Sequence, residues 1–332
     1  LGAASGRLLA RAGRRGDEHR RGGDRDPVTD AALTLAADAD AAVPLGVAAV
    51  PSSLDAASAP VLQVRGAAIR FGNRTLWSDL DLDVRPGELI AILGANGTGK
   101  TTLFKAILGQ TRLSTGSISL LGGRVRRGDH RIGSVPQQRI FAASVPMLGR
   151  DLVTFGRTGR RFGPPITSAA DRAAVDAAIT AAGATSLADR PIGSLSGGEQ
   201  QRLRLAQAIV DEPSLLLCDE PLSSLDLGHQ RAIVDLIDTQ RARGAGVLFI
   251  THDVNPILDV VDRILYLAPG GHRIGTPDEV LRSEVLTDLY GTPVDVVRVR
   301  DRVIVVGGPD DTHHAHEGHE HPEPDAPHEV MR

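Results

Sequence analysis

The chain has 332 residues, 41% of them hydrophobic, so it is long enough to bury one large core or two modest ones. Its net charge of −4 gives no general attraction to nucleic acid, and its only cysteine, Cys218, excludes an internal disulfide framework and fits a reducing cytosol. No apolar run approaches the roughly 18 to 20 residues of a membrane-spanning helix, so work at a membrane would require a spanning partner.

The first part of the chain, residues 1 to about 59, is rich in alanine, arginine and glycine, a composition that predicts disorder. A secretory signal is the alternative, but the apolar stretch 41–50 is short, contains Pro44 and follows acidic residues. Beyond it, alternating apolar and polar residues predict strands at 61–64, 80–84 and 117–121. These strands favour an antiparallel sheet beside a larger core.

Continuous apolar runs and helical periodicity then predict strands at 89–93, 215–218 and 247–250, and helices at 102–108, 201–209 and 230–237. Buried strands alternating with helices are typical of a parallel sheet covered on both faces. An alanine-rich region at about 141–192 predicts a helical insertion, and residues 293–306 predict a hairpin. We therefore expect an α/β domain over residues 60–306, followed by a tail at 307–332.

The most informative motif follows the predicted strand 89–93 and opens the helix after it. Its sequence, Gly-Ala-Asn-Gly-Thr-Gly-Lys-Thr, matches G-x-x-x-x-G-K-[ST] at residues 94–101. Glycines let the backbone aim N–H groups at a phosphate, Lys100 can reach the β- and γ-phosphates, and the Thr101 hydroxyl suits Mg²⁺. The predicted nucleotide contacts are Gly94, Asn96, Gly97, Thr98, Gly99, Lys100, Thr101 and Thr102. A glycine turn that merely caps a helix is the alternative.

Two adjacent carboxylates, Asp219 and Glu220, follow the buried strand 215–218. Asp219 is placed to hold Mg²⁺ directly or through water, and Glu220 could orient or deprotonate an attacking water. The alternative is a structural acid pair that ends a strand. A second motif, Ser196-Gly197-Gly198-Glu199, begins the helix at 201–209, where it forms either a capping box or a second anion cradle.

With Leu195 and Gln200 on either side, that second motif resembles the signature of ABC transporter ATP-binding subunits. The resemblance covers about residues 61–291 and implies ATP and Mg²⁺ as cofactors. It implies that Gln137 contacts Mg²⁺ and the attacking water, that Asp226 lies in a loop at a dimer interface, and that His252 contacts the γ-phosphate. Phe71 stands where an aromatic ring stacks on adenine, although a core phenylalanine is the alternative.

The same resemblance implies the partners. Two copies would sandwich two ATP molecules, with Ser196, Gly197, Gly198 and Glu199 acting across the interface, and a membrane permease would dock near residues 141–159 on the cytoplasmic face of the membrane. The chain looks like the ATPases of zinc and manganese importers, which work with an extracytoplasmic metal-binding protein. Iron-chelate or cobalamin importers, exporters, and soluble ATPases acting on DNA or ribosomes are the alternatives, and no nucleic-acid partner is expected.

The tail carries a run of histidines among acidic residues: His313, His314, His316, His319 and His321. Imidazoles suit zinc, whereas manganese prefers oxygen ligands, so the tail favours zinc as the transported metal. The alternative is a solvated tail that binds no particular metal.

Overall fold

The computed structural model describes residues 59–137, 141–142, 144–161 and 167–307. The segment predicted to be disordered, apart from its last residue, and the predicted zinc-binding histidines lie outside the described residues. The strands are β1 (Leu62–Phe71), β2 (Arg74–Val84), β3 (Leu89–Leu93), β4 (Thr115–Leu120), β5 (Gly123–Arg124), β6 (Ile132–Val135), β7 (Leu215–Asp219), β8 (Gly246–Ile250), β9 (Arg263–Ala268), β10 (Gly271–Gly275), β11 (Asp295–Val299) and β12 (Arg302–Val306).

The α-helices are α1 (Lys100–Ile107), α2 (Gly149–Thr158), α3 (Ala169–Ala181), α4 (Gly197–Ile209), α5 (Leu227–Ala242), α6 (Pro277–Val280) and α7 (Ser283–Tyr290). Short 3₁₀ turns lie at Thr185–Leu187, Ile192–Ser194 and Asn255–Ile257. The region predicted as a helical insertion thus contains α2 and α3, which pack against each other and against α4.

A six-stranded sheet in the order β10-β9-β3-β8-β7-β6 forms the centre. Neighbouring strands from β9 to β6 are parallel, so their carboxyl ends lie at one edge of the sheet. Only β10 runs antiparallel, because the two residues after Ala268 are too few for a crossover connection. The predicted parallel sheet is therefore confirmed for five strands and completed by an antiparallel edge strand.

Both faces of this sheet are covered, as predicted. Along β3, Leu89, Ala91 and Leu93 belong to one apolar cluster, which includes residues of α2 to α5, whereas Ile90 and Ile92 belong to another, which includes residues of α1, β1 and β2. Alternation along a strand sends successive side chains to opposite faces. A strand buried on both faces therefore reads as an unbroken apolar run, which is why β3, β7 and β8 were predictable.

A second sheet has the antiparallel order β2-β1-β4-β5, and β11 pairs with β12 in a separate hairpin. The predicted strands at 61–64, 80–84 and 117–121 and the predicted C-terminal hairpin are confirmed. Strands β6, β9 and β10 were not predicted from the sequence. The domain boundaries drawn there stay predictions.

Candidate active site

The loop between β3 and α1 is forced into its path by close neighbours. Gly94, Gly97 and Gly99 have φ values of 138°, 78° and 98°, a region that side chains rarely allow. A Cβ atom on Gly94 would lie 2.0 Å from the carbonyl oxygen of Leu267, and one on Gly99 would lie 2.8 Å from Nε1 of Trp77. The loop is thus pressed between β9 and β2, and only glycine fits at these positions.

Lys100 begins α1 and is buried against this loop. Its Nζ donates to the carbonyl oxygens of Gly94 and Ala95, the second at 3.0 Å. Thr98 Oγ1 also donates to Ala95 O, at 2.9 Å. The ammonium group is therefore held over the turn of the loop, where the N–H groups at the start of α1 favour an anion.

Asp219 ends β7 and is buried beside α1, where it shares a hydrogen bond with Thr101. Burial raises the pKa of the Asp219 carboxyl above its ordinary value. Among the described residues, its Oδ1 atom has no hydrogen-bond partner. A buried carboxylate oxygen that lacks a partner, next to a hydroxyl at a phosphate loop, fits Mg²⁺, which proteins bind through one or two carboxylates plus substrate phosphates.

The next residue, Glu220, joins two other predicted catalytic side chains. Its Oε2 accepts from Gln137 Nε2 at 2.9 Å, and its Oε1 lies 2.7 Å from His252 Nε2. These residues come together because β6, β7 and β8 are adjacent and parallel, and each side chain follows the carboxyl end of its strand. Glu220 has φ 49°, and its backbone N–H donates to Ile250 O at 2.9 Å, which holds this strained turn against β8.

Phe71 lies at the end of β1 with 56% of its surface exposed, so the alternative of a core phenylalanine is wrong. It pairs with Arg74 across a two-residue turn, and Arg74 Nη2 donates to Gly97 O at 2.9 Å. A guanidinium therefore lies beside the phosphate loop, and its partner residue across the hairpin carries an exposed aromatic ring. Arg74 was not among the residues predicted from the sequence, although the Gly72-Asn73 turn between two strands could have indicated the hairpin that carries it.

Ser196 caps α4 in a reciprocal arrangement. Glu199 N donates to Ser196 Oγ at 3.3 Å, and Ser196 N donates to Glu199 Oε2 at 2.8 Å, which lowers the pKa of Glu199. The capping-box interpretation is therefore confirmed, and Ser196 itself stays exposed. Because Ser196 is exposed, a partner can still reach it and the glycine after it, and the interpretation of this motif as an anion cradle stays a prediction.

Asp226 caps α5 and links to the start of α4 through a residue that the sequence analysis missed. Asp226 accepts from His229 N at 2.9 Å, and its other oxygen lies 2.6 Å from His229 Nδ1. The imidazole lies so close to Gly198 that a Cβ atom there would meet His229 Cδ2 at 2.5 Å. Among the described residues, Ser196 forms hydrogen bonds with Glu199 in the first turn of α4, and Asp226 forms hydrogen bonds with His229 in the first turn of α5. These hydrogen bonds do not connect either residue to the Glu220 cluster.

A phosphate loop entering a helix, with a buried aspartate and a partly exposed glutamate at the end of another parallel strand of the same sheet, defines a P-loop nucleotide hydrolase. The family profile described as "ABC transporter" matches residues 77–223. The chain is 38% identical to the hemin import ATP-binding protein HmuV of Pseudomonas aeruginosa (73% of this chain, 97% of that protein). It is 34% identical to the zinc import ATP-binding protein ZnuC of Halorhodospira halophila (81% and 93%).

Among solved structures, the chain superposes with a TM-score of 0.63 on a chain of an inward-facing ABC transporter described as of the metal-chelate type, at 29% identity over 74% of this chain and 96% of that one. The chain therefore belongs to the ABC transporter ATP-binding family, and it is an ATP-hydrolysing transporter ATPase. In the part of the chain that the structure describes, no helix is long and apolar enough to cross a membrane.

Proposed function

We propose that this chain hydrolyses ATP with Glu220 as the group that orients the attacking water and accepts its proton. The observation that carries this proposal is the cluster in which both Glu220 oxygens are held, one by Gln137 and one by His252. A carboxylate fixed by two donors has a defined direction, which general-base catalysis requires. His252 would also donate toward the γ-phosphate, where charge develops during transfer.

On the phosphate side, Lys100 and the backbone N–H groups of residues 94–102 would hold the β- and γ-phosphates, and Phe71 would stack on adenine. Thr101, Asp219 and Gln137 are the candidate Mg²⁺ ligands. The ion, when bound, would neutralise phosphate charge during the loose, in-line transfer. The unpartnered Asp219 oxygen beside Thr101 supports this assignment.

Hydrolysis would take place between two copies of the chain, with Ser196, Gly197, Gly198 and Glu199 of one copy facing the phosphates held by the other. The exposure of Ser196 at the start of a 13-residue helix supports a role toward a second copy. Asp226 would lie at the same interface, since His229 joins it to Gly198. Closure and opening of this dimer would drive a membrane permease on the cytoplasmic side, with residues 141–159 as the docking region.

The cargo of the system is a transition metal or its chelate, delivered by an extracytoplasmic binding protein. Relatives named for zinc import, hemin import and manganese transport are similarly close, at 34%, 38% and 33% identity, and they support this class of cargo without separating its members. The tail histidines favour zinc. Hemin is the second candidate, supported by the 38% identical relative.

The hydrolysis proposal is tested by Glu220→Gln in the full chain, which keeps the shape of the side chain but removes its charge. Loss of a general base costs roughly 10²- to 10⁴-fold in rate. We expect turnover to fall by that factor while ATP still binds and holds two copies together. The matched control is Glu284→Gln on α7. Glu284 is highly exposed, and its carboxylate forms only a long ion pair with Arg282, at 3.5 Å. Turnover within tenfold of wild type would exclude Glu220 from the proposed role.

The cargo proposal is tested by calorimetric titration of Zn²⁺ and Mn²⁺ into the full chain and into a chain ending at Val306, with ATPase rate followed in parallel. Zinc binding that requires the tail and changes the rate would support zinc import with a sensing tail. Zinc binding that is equal in both chains, or that leaves the ATPase rate unchanged, would contradict a zinc-sensing tail. Manganese import, import of an iron chelate such as hemin, and export would then stand equally as proposals.

A further inference from the structure

Asn255 joins the loop that carries His252 to the C-terminal hairpin. Its side-chain Nδ2 donates to Val303 O at 3.0 Å, and Val303 N donates back to Asn255 Oδ1 at 2.8 Å. One amide thereby reproduces the paired donor and acceptor of an antiparallel strand neighbour. Asparagine is needed for this pairing, because an aspartate of the same size would present only acceptors at neutral pH.

From Asn255, hydrogen bonds run back along the loop to both neighbours of His252. Asp253 Oδ1 accepts from Asn255 N at 2.9 Å and from Asn255 Nδ2 at 2.6 Å. Thr251 Oγ1 donates to Asp253 O at 2.8 Å and accepts from Asp253 N at 3.1 Å. The backbone on either side of His252 is thus tied to β8 at one end and to Val303 at the other.

The hairpin can serve as a fixed support because α7 and the core hold it independently of this loop. Val296 N donates to Ser283 Oγ at 2.9 Å, and Val294 N donates to Thr287 Oγ1 at 3.0 Å. Val303 is only 5% exposed and belongs to the apolar cluster that includes residues of α2 to α5. A displacement of Val303 would therefore require the hairpin to leave the core.

We propose that Asn255 is a positioning residue that holds His252 at Glu220 by clamping its loop to the C-terminal hairpin. This inference rests on the proposed roles of His252 and Glu220. It makes strand β12, which lies outside the residues matched by the family profile, a part of the hydrolytic apparatus. The link is specific to the hydrolysis step, because the nucleotide-binding loop is held by other contacts, the hydrogen bonds that Arg74 donates to Gly97 O and that Thr98 and Lys100 donate to Ala95 O.

The test compares Asn255→Asp with Ser168→Ala in the full chain. Asn255→Asp removes the donor to Val303 O and places a second carboxylate beside Asp253, so the loop should move away from the hairpin. Since a misplacement of about 1 Å can cost 10²-fold in rate, we expect kcat to fall roughly 10- to 100-fold while the affinity for ATP stays within about twofold. Ser168→Ala removes the hydrogen bond from Asp171 N that caps α3 and belongs to neither the loop nor the hairpin, so its kcat should match wild type although its Tm falls.

Thermal unfolding of each variant separates positioning from general loosening. Unchanged kcat in Asn255→Asp would overturn the proposal, as would an equal loss of kcat in Ser168→Ala at a similar loss in Tm. If the charged variant does not fold, Asn255→Ala replaces it with the same expectation, and failure of both to fold would overturn the positioning role. Glu220→Gln is measured in the same assay. If Glu220→Gln retains turnover, the proposed function is refuted. If Glu220→Gln is inactive but Asn255→Asp is fully active, only the proposed role of Asn255 is refuted.

Discussion

Gly94 gives the most direct test of how the phosphate loop is shaped. In Gly94→Ala, the new Cβ would lie 2.0 Å from Leu267 O, about 1.4 Å closer than ordinary van der Waals contact. The neighbouring atom belongs to the backbone of a central strand, so the loop must yield. A shift of that size at residues that hold phosphates should lower kcat/KM at least about 10²-fold, with weaker ATP binding measured by titration.

The matched control is Gly183→Ala. Gly183 also has a positive φ, 60°, but no atom lies within 4 Å of its would-be Cβ. It therefore bears the conformational cost of a side chain in the left-handed region, about 1 kcal/mol, without a clash. We expect a small loss in Tm and unchanged ATPase activity. Full ATPase activity in Gly94→Ala, as in Gly183→Ala, would refute the reasoning that the approach of Leu267 O restricts residue 94 to glycine.

Three further predictions concern buried polar groups. The Arg161 guanidinium, aided by Ser168 and Arg157, holds the pKa of Asp171 well below its ordinary value, so this carboxylate stabilises the fold above pH about 4 and loses that contribution as the pH falls further. Asp171→Asn should therefore lower Tm at neutral pH, and the difference in Tm from wild type should become smaller in acid. Asp176→Asn, at an exposed ion pair, is the control and should lower Tm much less. Burial raises the pKa of the Cys218 thiol, so a thiol reagent should modify it only after unfolding. Both side-chain polar atoms of buried Gln201 lack a partner among the described residues, so Gln201→Met should raise the free energy of unfolding by about 1 to 2 kcal/mol in denaturant titration.

Much of the site was predictable because its chemistry depends on local sequence. The phosphate loop needs glycine at fixed spacing, and Lys100 and Thr101 follow it directly, so one short motif identifies all of them. Asp219 and Glu220 were predictable for a different reason, since two acids after an apolar strand have few structural uses. The bounds of β3 match the prediction residue for residue, because Gly87 and Gly94 flank its apolar run.

What could not be predicted depends on contacts between distant parts of the chain. The strand β6 contains Gly133 and Ser134 and lacks an apolar run, and it is a strand because β7 lies beside it. Two hydrogen bonds show this: Arg74 donates to Gly97 O, and Asn255 donates to Val303 O. In each pair, the sequence around one residue does not indicate the other. Such pairs become visible only when the sheet order brings their strands together.

Ser196 illustrates a case in which two interpretations of one motif describe the same geometry. A serine hydroxyl carries one donor and two acceptor lone pairs, and the capping bond from Glu199 N uses one lone pair. The cap therefore fixes the direction of Oγ while its O–H stays able to donate to a phosphate oxygen held by a second copy. Glu199, by accepting from Ser196 N, keeps this exposed helix start in one conformation. The capping box is thus the means by which an exposed serine could be held ready for a partner's nucleotide, and its presence is no evidence against that role.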